Sequence, residues 1–183
     1  RDEPHRQLQL LAFPVLDAAN SQVLTVSYYD DYDFDNNDSP DVAFDFHSHN
    51  FPERPFYRVR GHLTGSKTRV LGSDKWLWSI SFYDDKYRLL QAQTDNHLGG
   101  KDVLTNRYDF SGKVLETKLV HQKPGRPDVP IAQTFSYDHA GRLLETRQST
   151  GQEPEEVIAK QSYNELGQLQ SKQLGDNLLQ LDY

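Results

Sequence analysis

The sequence predicts an all-β fold, an antiparallel meander of hairpins laid side by side as a curved open strip. Three observations carry that reading. A block of Tyr, Asp, two free positions, Gly, a basic residue and an aliphatic one recurs along the chain. Loops marked by proline and glycine separate the blocks. Finally, 10 Tyr and 9 Phe stand in a 183-residue chain of which only 36% is hydrophobic, at a mean hydropathy of −0.80. A thin sheet with partly wetted faces reconciles so many rings with so polar a chain.

From the N-terminus, residues 1–34 are expected to hold strands. `RDEPHRQLQLLAFPVLDAAN` reads as a charged lead with a short strand, and `LTVSYYDDYDF` (24–34) as a divergent copy of the block without its glycine. Residues 35–60 form an irregular acidic and proline-rich insertion in which `VAFDF` (42–46) offers an apolar anchor. A connection this long is usually functional or an ordered excursion. From 61 to 183 one continuous repeat sheet is expected. Two strands flank `GSDK` in `GSKTRVLGSDKWLWSISFY` (65–83), and Trp76 and Trp78 project to one face of the second. Such a stripe either covers the sheet or offers a stacking platform to a ligand.

The repeated block appears as `YDDKYRLLQAQ` from Tyr83, `YDFSGKVLETK` from Tyr108, `YDHAGRLLETR` from Tyr137 and `YNELGQLQSKQ` from Tyr163, at spacings of 25, 29 and 26 residues. Near-constant spacing with variable linkers marks one supersecondary unit used repeatedly. Asp accepts a backbone N–H at the first turn position, and glycine three residues later tolerates a left-handed backbone. Together they specify a type I turn closed by a glycine bulge. That register sets Asp138 opposite Arg142, Tyr137 opposite Leu143, Asp109 opposite Lys113 and Tyr108 opposite Val114, with Gly112 and Gly141 at the bulges. It also places the charged pair and the aromatic–aliphatic pair on opposite faces, each pair contributing about 0.2–1 kcal/mol to strand pairing. In the fourth copy Asn164, Gly167 and Gln168 keep the frame while both charges vanish together, which suits a ladder better than a reaction. The first copy holds Asp84 and Arg88 but puts Tyr87 at the glycine position, so a different turn is expected there.

These blocks resemble the YD repeat of the RHS family, which includes bacterial polymorphic toxins and the animal teneurins. The resemblance covers residues 78–174, with `LQLDY` as an interrupted fifth copy. It implies a partial turn of an RHS-like β-shell, in a large exported or cell-surface bacterial protein. In the toxins such a shell encloses a C-terminal effector. Expected partners are the remaining YD repeats of the same polypeptide, an encapsulated effector, or a glycan. The family's self-cleaving aspartates have no counterpart here, so no catalytic residue is carried over.

Composition narrows the function further. A net charge of −7 without any basic stripe argues against nucleic acid. No run approaches the ~20 apolar residues that a membrane-spanning helix needs. With no cysteine, disulfides, thiol nucleophiles and Cys-type zinc sites are all excluded. The absence of Met and the start at Arg1 suggest a segment of a longer protein, its targeting signal elsewhere. Asp30, Asp31, Asp33, Asp35 and Asp38 invite a calcium reading, but an EF-hand count from Asp33 puts Asp38 where glycine belongs and Phe44 where glutamate belongs. His47 and His49 lack further zinc ligands at local spacing and read as ordinary polar loop histidines. `GHLTGSKT` (61–68) has the wrong spacing for a phosphate loop and leads into a strand. No metal, cofactor or enzyme constellation is expected. The leading reading is a non-catalytic structural and interaction module. The alternative is a carbohydrate-binding surface that uses Trp76 and Trp78.

Overall fold

The computed structural model describes residues 21–175 and 178–183, so the strand expected within residues 1–20 lies outside the described residues. Eleven strands follow one another: β1 (Thr25–Asp30), β2 (Val59–Arg69), β3 (Trp76–Tyr83) and β4 (Leu89–Asp95). Next come β5 (Lys101–Tyr108), β6 (Val114–His121), β7 (Val129–Tyr137) and β8 (Leu143–Thr150). The series closes with β9 (Glu156–Tyr163), β10 (Leu169–Leu174) and β11 (Leu179–Asp182). Every strand pairs antiparallel with its sequence neighbours, giving a single sheet in strict chain order. Among the described residues, β1 and β11 are its two edges, and the sheet does not close on itself.

Strand pairing follows the expected register. Tyr108 lies opposite Val114 and Tyr137 opposite Leu143, each beside a bulge. The first and fourth copies repeat this with Tyr83 opposite Leu89 and Tyr163 opposite Leu169. The two strands flanking `GSDK` are β2 and β3, joined where the Val70 N–H donates to the Lys75 carbonyl at 2.9 Å. β2 begins at Val59, two residues ahead of the boundary expected for the sheet. Its stretch 61–68 is strand throughout, which leaves no helix N-terminus for a phosphate to meet.

Residues 31–58 leave β1 and cross one face of the sheet before returning as β2. They build the one buried apolar cluster among the described residues. Tyr32 and Phe44 from the excursion meet Val59, Ile80, Phe82 and Leu90 of the sheet. Tyr32 stacks on Phe82 at 4.7 Å, and Phe44 meets Phe82 edge-on at 5.5 Å. The expected anchor at 42–46 is held by two buried glutamines of β4. Gln91 accepts the Asp45 N–H at 2.9 Å and donates to the Asp45 carbonyl at 2.8 Å, while Gln93 donates to the Ala43 carbonyl at 2.9 Å. An amide side chain matches a backbone amide donor for acceptor, so the 43–45 backbone docks on the sheet with its polar groups paired. Beyond β6 the sheet thins: Thr146 alone is buried among the described residues of β7–β11.

Candidate functional site

The repeated blocks form the most distinctive chemistry of the sheet. In the third copy the Asp138 N–H donates to the Arg142 carbonyl and the Gly141 N–H to the Asp138 carbonyl, both at 2.9 Å. Gly141 has φ +82°, as the bulge requires. The Asp138 carboxylate accepts the N–H groups of Ala140 (2.9 Å) and Arg142 (2.8 Å), and its second oxygen takes Arg142 Nε at 2.6 Å. The backbone bond from Arg142, with its guanidinium behind it, holds this carboxyl below the usual range despite partial desolvation. Asp84 and Asp109 cap their turns in the same way. Asn164 keeps the backbone contact through Gln168 N–H at 2.9 Å and replaces the ion pair with an amide bond at 3.0 Å.

One expectation is overturned. Tyr87 stands at the glycine position of the first copy, yet the turn is the same: Asp84 N–H donates to the Arg88 carbonyl and Tyr87 N–H to the Asp84 carbonyl, both at 3.0 Å. Tyr87 adopts φ +59°. Its ring stacks on His62 at 4.4 Å with planes 9° apart and meets Phe56 edge-on, contacts that offset the left-handed strain.

What unites the copies is a contact between successive hairpins. Tyr83 OH donates to the Leu63 carbonyl (2.6 Å), Tyr108 OH to Leu89 (2.8 Å), Tyr137 OH to Val114 (2.8 Å) and Tyr163 OH to Leu143 (2.9 Å). In each case the acceptor lies just past the last paired residue of the seam. The β6/β7 ladder, for example, ends at Glu116 opposite Thr134. The tyrosine therefore closes the seam where the neighbouring hairpins splay apart. Over each phenol ring from the second copy on lies the basic side chain of the preceding block. Arg88 sits over Tyr108 at 4.4 Å, Lys113 over Tyr137 at 5.8 Å and Arg142 over Tyr163 at 4.7 Å. So the basic residue serves two hairpins, pairing with its own aspartate and capping the next tyrosine. Burial pushes the Tyr108 and Tyr137 hydroxyls up from their ordinary value, which keeps them donors.

Trp76 and Trp78 share a face, as expected. The Lys67 ammonium lies over both indoles, at 5.3 and 5.0 Å, and over Tyr28 at 5.5 Å. Tyr28 and Phe34 also stack on Trp78, at 5.4 and 5.5 Å. Beside them opens a cavity of about 370 Å³ lined by the rings of Tyr28, Phe34 and Trp78 and by the charged Asp41, Asp95 and Lys67.

The acidic loop brings the carboxylates of Asp33, Asp35 and Asp41 within 4.8 Å of one another. Their oxygens serve the loop itself. Asp33 accepts the N–H groups of Asn37 (3.0 Å) and Asp38 (2.8 Å), Asp35 that of Asn37 (3.2 Å), and Asp41 that of Phe34 (2.6 Å). The two histidines part company: His47 is exposed, whereas His49 is buried and not the ordinary polar loop residue expected, because it packs edge-on against Phe44 at 5.5 Å.

Compared with protein-family models and with curated proteins, the chain matches none. Among the described residues, no helix is long and apolar enough to cross a membrane.

Proposed function

We propose that this chain is a non-catalytic wall segment, part of an RHS-like β-shell that encapsulates or presents an effector in a large exported or cell-surface bacterial protein. The observation that carries this reading is the seam contact made four times by Tyr83, Tyr108, Tyr137 and Tyr163. It joins each hairpin to the one before it, as a wall extended by repetition requires. The recurring carboxylates cap turns and pair with basic neighbours, which suits architecture better than acid–base chemistry. Among the described residues, β1 and β11 are edge strands, to which further repeats of the same polypeptide can add. Electron microscopy of the intact polypeptide is the test. A hollow particle with this strip in its wall is expected, and an isolated module on an extended stalk would refute the reading.

A second reading has one observation in its favour, the aromatic-walled cavity beside Trp78. Rings together with charged and polar side chains in one lining suit a polyhydroxylated ligand. Calorimetric titration after a glycan-array screen tests it. Binding lost in both Trp76→Ala and Trp78→Ala, with the sheet intact, supports a carbohydrate site; no binding to any glycan removes it.

A further inference from the structure

We propose that residues 44–54 form a clasp on the sheet that acid releases, with His49 as the trigger. His49 is only 4% exposed, and its Nδ1 accepts the Phe51 N–H at 3.0 Å. The ring proton of the neutral imidazole therefore sits on Nε2, which is buried and has no hydrogen-bond partner among the described residues. Glu53 Oε2 is buried without a partner as well. A second proton would have to enter at Nδ1, setting one N–H against another and breaking the bond that closes the 49–51 turn. It would also leave a charge buried away from water, packed between Phe44 and Phe51 at 5.5 and 5.3 Å.

The groups facing His49 act in both directions. Burial disfavours the charged ring most, and Lys118 of β6 adds to it. Against them stand the Asp45 carboxylate, the Glu53 carboxylate and the Asp45 backbone. Arg107 of β5 lies over Phe51 at 5.9 Å and brings a further positive charge to the clasp. The balance holds His49 below its ordinary value. The docked clasp therefore binds fewer protons than the released one. Its stability is complete above about pH 6.5, the usual histidine range, and is lost as pH falls below that toward the depressed value. The strands keep their own ladders, so opening is local.

Native-state hydrogen exchange between pH 7.5 and 5.0, expressed as protection factors, tests the proposal. Protection of residues 44–54 should fall severalfold across this range, while β5 and β6 keep theirs. In His49→Asn the side-chain oxygen can accept the Phe51 N–H without titrating, so protection should stay flat. His47→Asn should lose protection as the wild type does. Should His49→Asn fail to fold, NMR titration of the wild type decides: His49 must titrate below the usual range, and the Phe51 amide must move at the same midpoint. Flat wild-type protection down to pH 5.0, equal loss in His49→Asn, abolished loss in His47→Asn, or an unshifted His49 midpoint each overturn the proposal.

Discussion

Replacing Tyr137 with phenylalanine removes one oxygen from the β6/β7 seam and leaves the ring in place. The Val114 carbonyl loses its 2.8 Å donor beyond the last paired residues of that ladder. A net cost of about 1 kcal/mol is expected for one such hydrogen bond. In a chain of this size that lowers the melting temperature by roughly 2–4 °C. Urea unfolding gives the free energy, and amide exchange at Val114–Glu116 and Thr134–Ser136 locates the loss. Because the phenyl ring still faces Lys113, the Lys113→Met cost should be unchanged in the Tyr137→Phe background. Tyr29→Phe, at an exposed residue of β1, is the control and should be neutral. Equal stability of Tyr137→Phe and wild type, with seam protection unchanged, would refute the claim that the hydroxyl closes the seam.

Other perturbations probe separate parts of the fold. Asp138→Asn should flatten the acid limb of stability: the depressed Asp138 carboxyl stabilises the folded state above the usual aspartate range, and that contribution disappears as pH falls through the folded value, as pH-dependent urea unfolding would show. Tyr87→Gly relieves left-handed strain but loses the His62 stack, so in a His62→Ala background it should stabilise by about 1 kcal/mol, measured by thermal melting. Gly100→Ala places a Cβ 1.9 Å from the Gln122 carbonyl, so lower stability and exchange-prone β5/β6 ends are expected. Gln91→Leu leaves the Asp45 N–H and carbonyl without partners and should cost about 1–3 kcal/mol, with protection lost first in residues 42–48.

The turn chemistry of this chain was legible because it is local. Asp and Gly at fixed offsets dictate a bulged hairpin, and Asn164 with Gln168 shows that the charge can go while the turn stays. The seam contact was not legible in the same way. Tyr137 and Arg142 stand in one block, but their partners, Val114 and Tyr163, lie in the blocks on either side across linkers of unequal length. The same Asx–Gly turn also joins β4 to β5, through Asn96 and Gly99, without the tyrosine that would have drawn notice to it. Tyr87 misled because its compensation comes from His62 and Phe56, distant in sequence. Glutamines within a strand ordinarily point to water, so Gln91 and Gln93 gave no sign of docking an excursion some 46–50 residues away. His49 looked like a loop residue because burial depends on where the excursion lands.

Nuclear Overhauser contacts across the β4/β5, β6/β7 and β8/β9 seams, measured together with exchange of the tyrosine hydroxyl protons, test the continuous wall most directly. The account predicts cross-strand contacts at all three seams and slow hydroxyl exchange for Tyr108, Tyr137 and Tyr163. Contacts confined to the interiors of the hairpins, with those hydroxyls exchanging as freely as that of Tyr29, would contradict it.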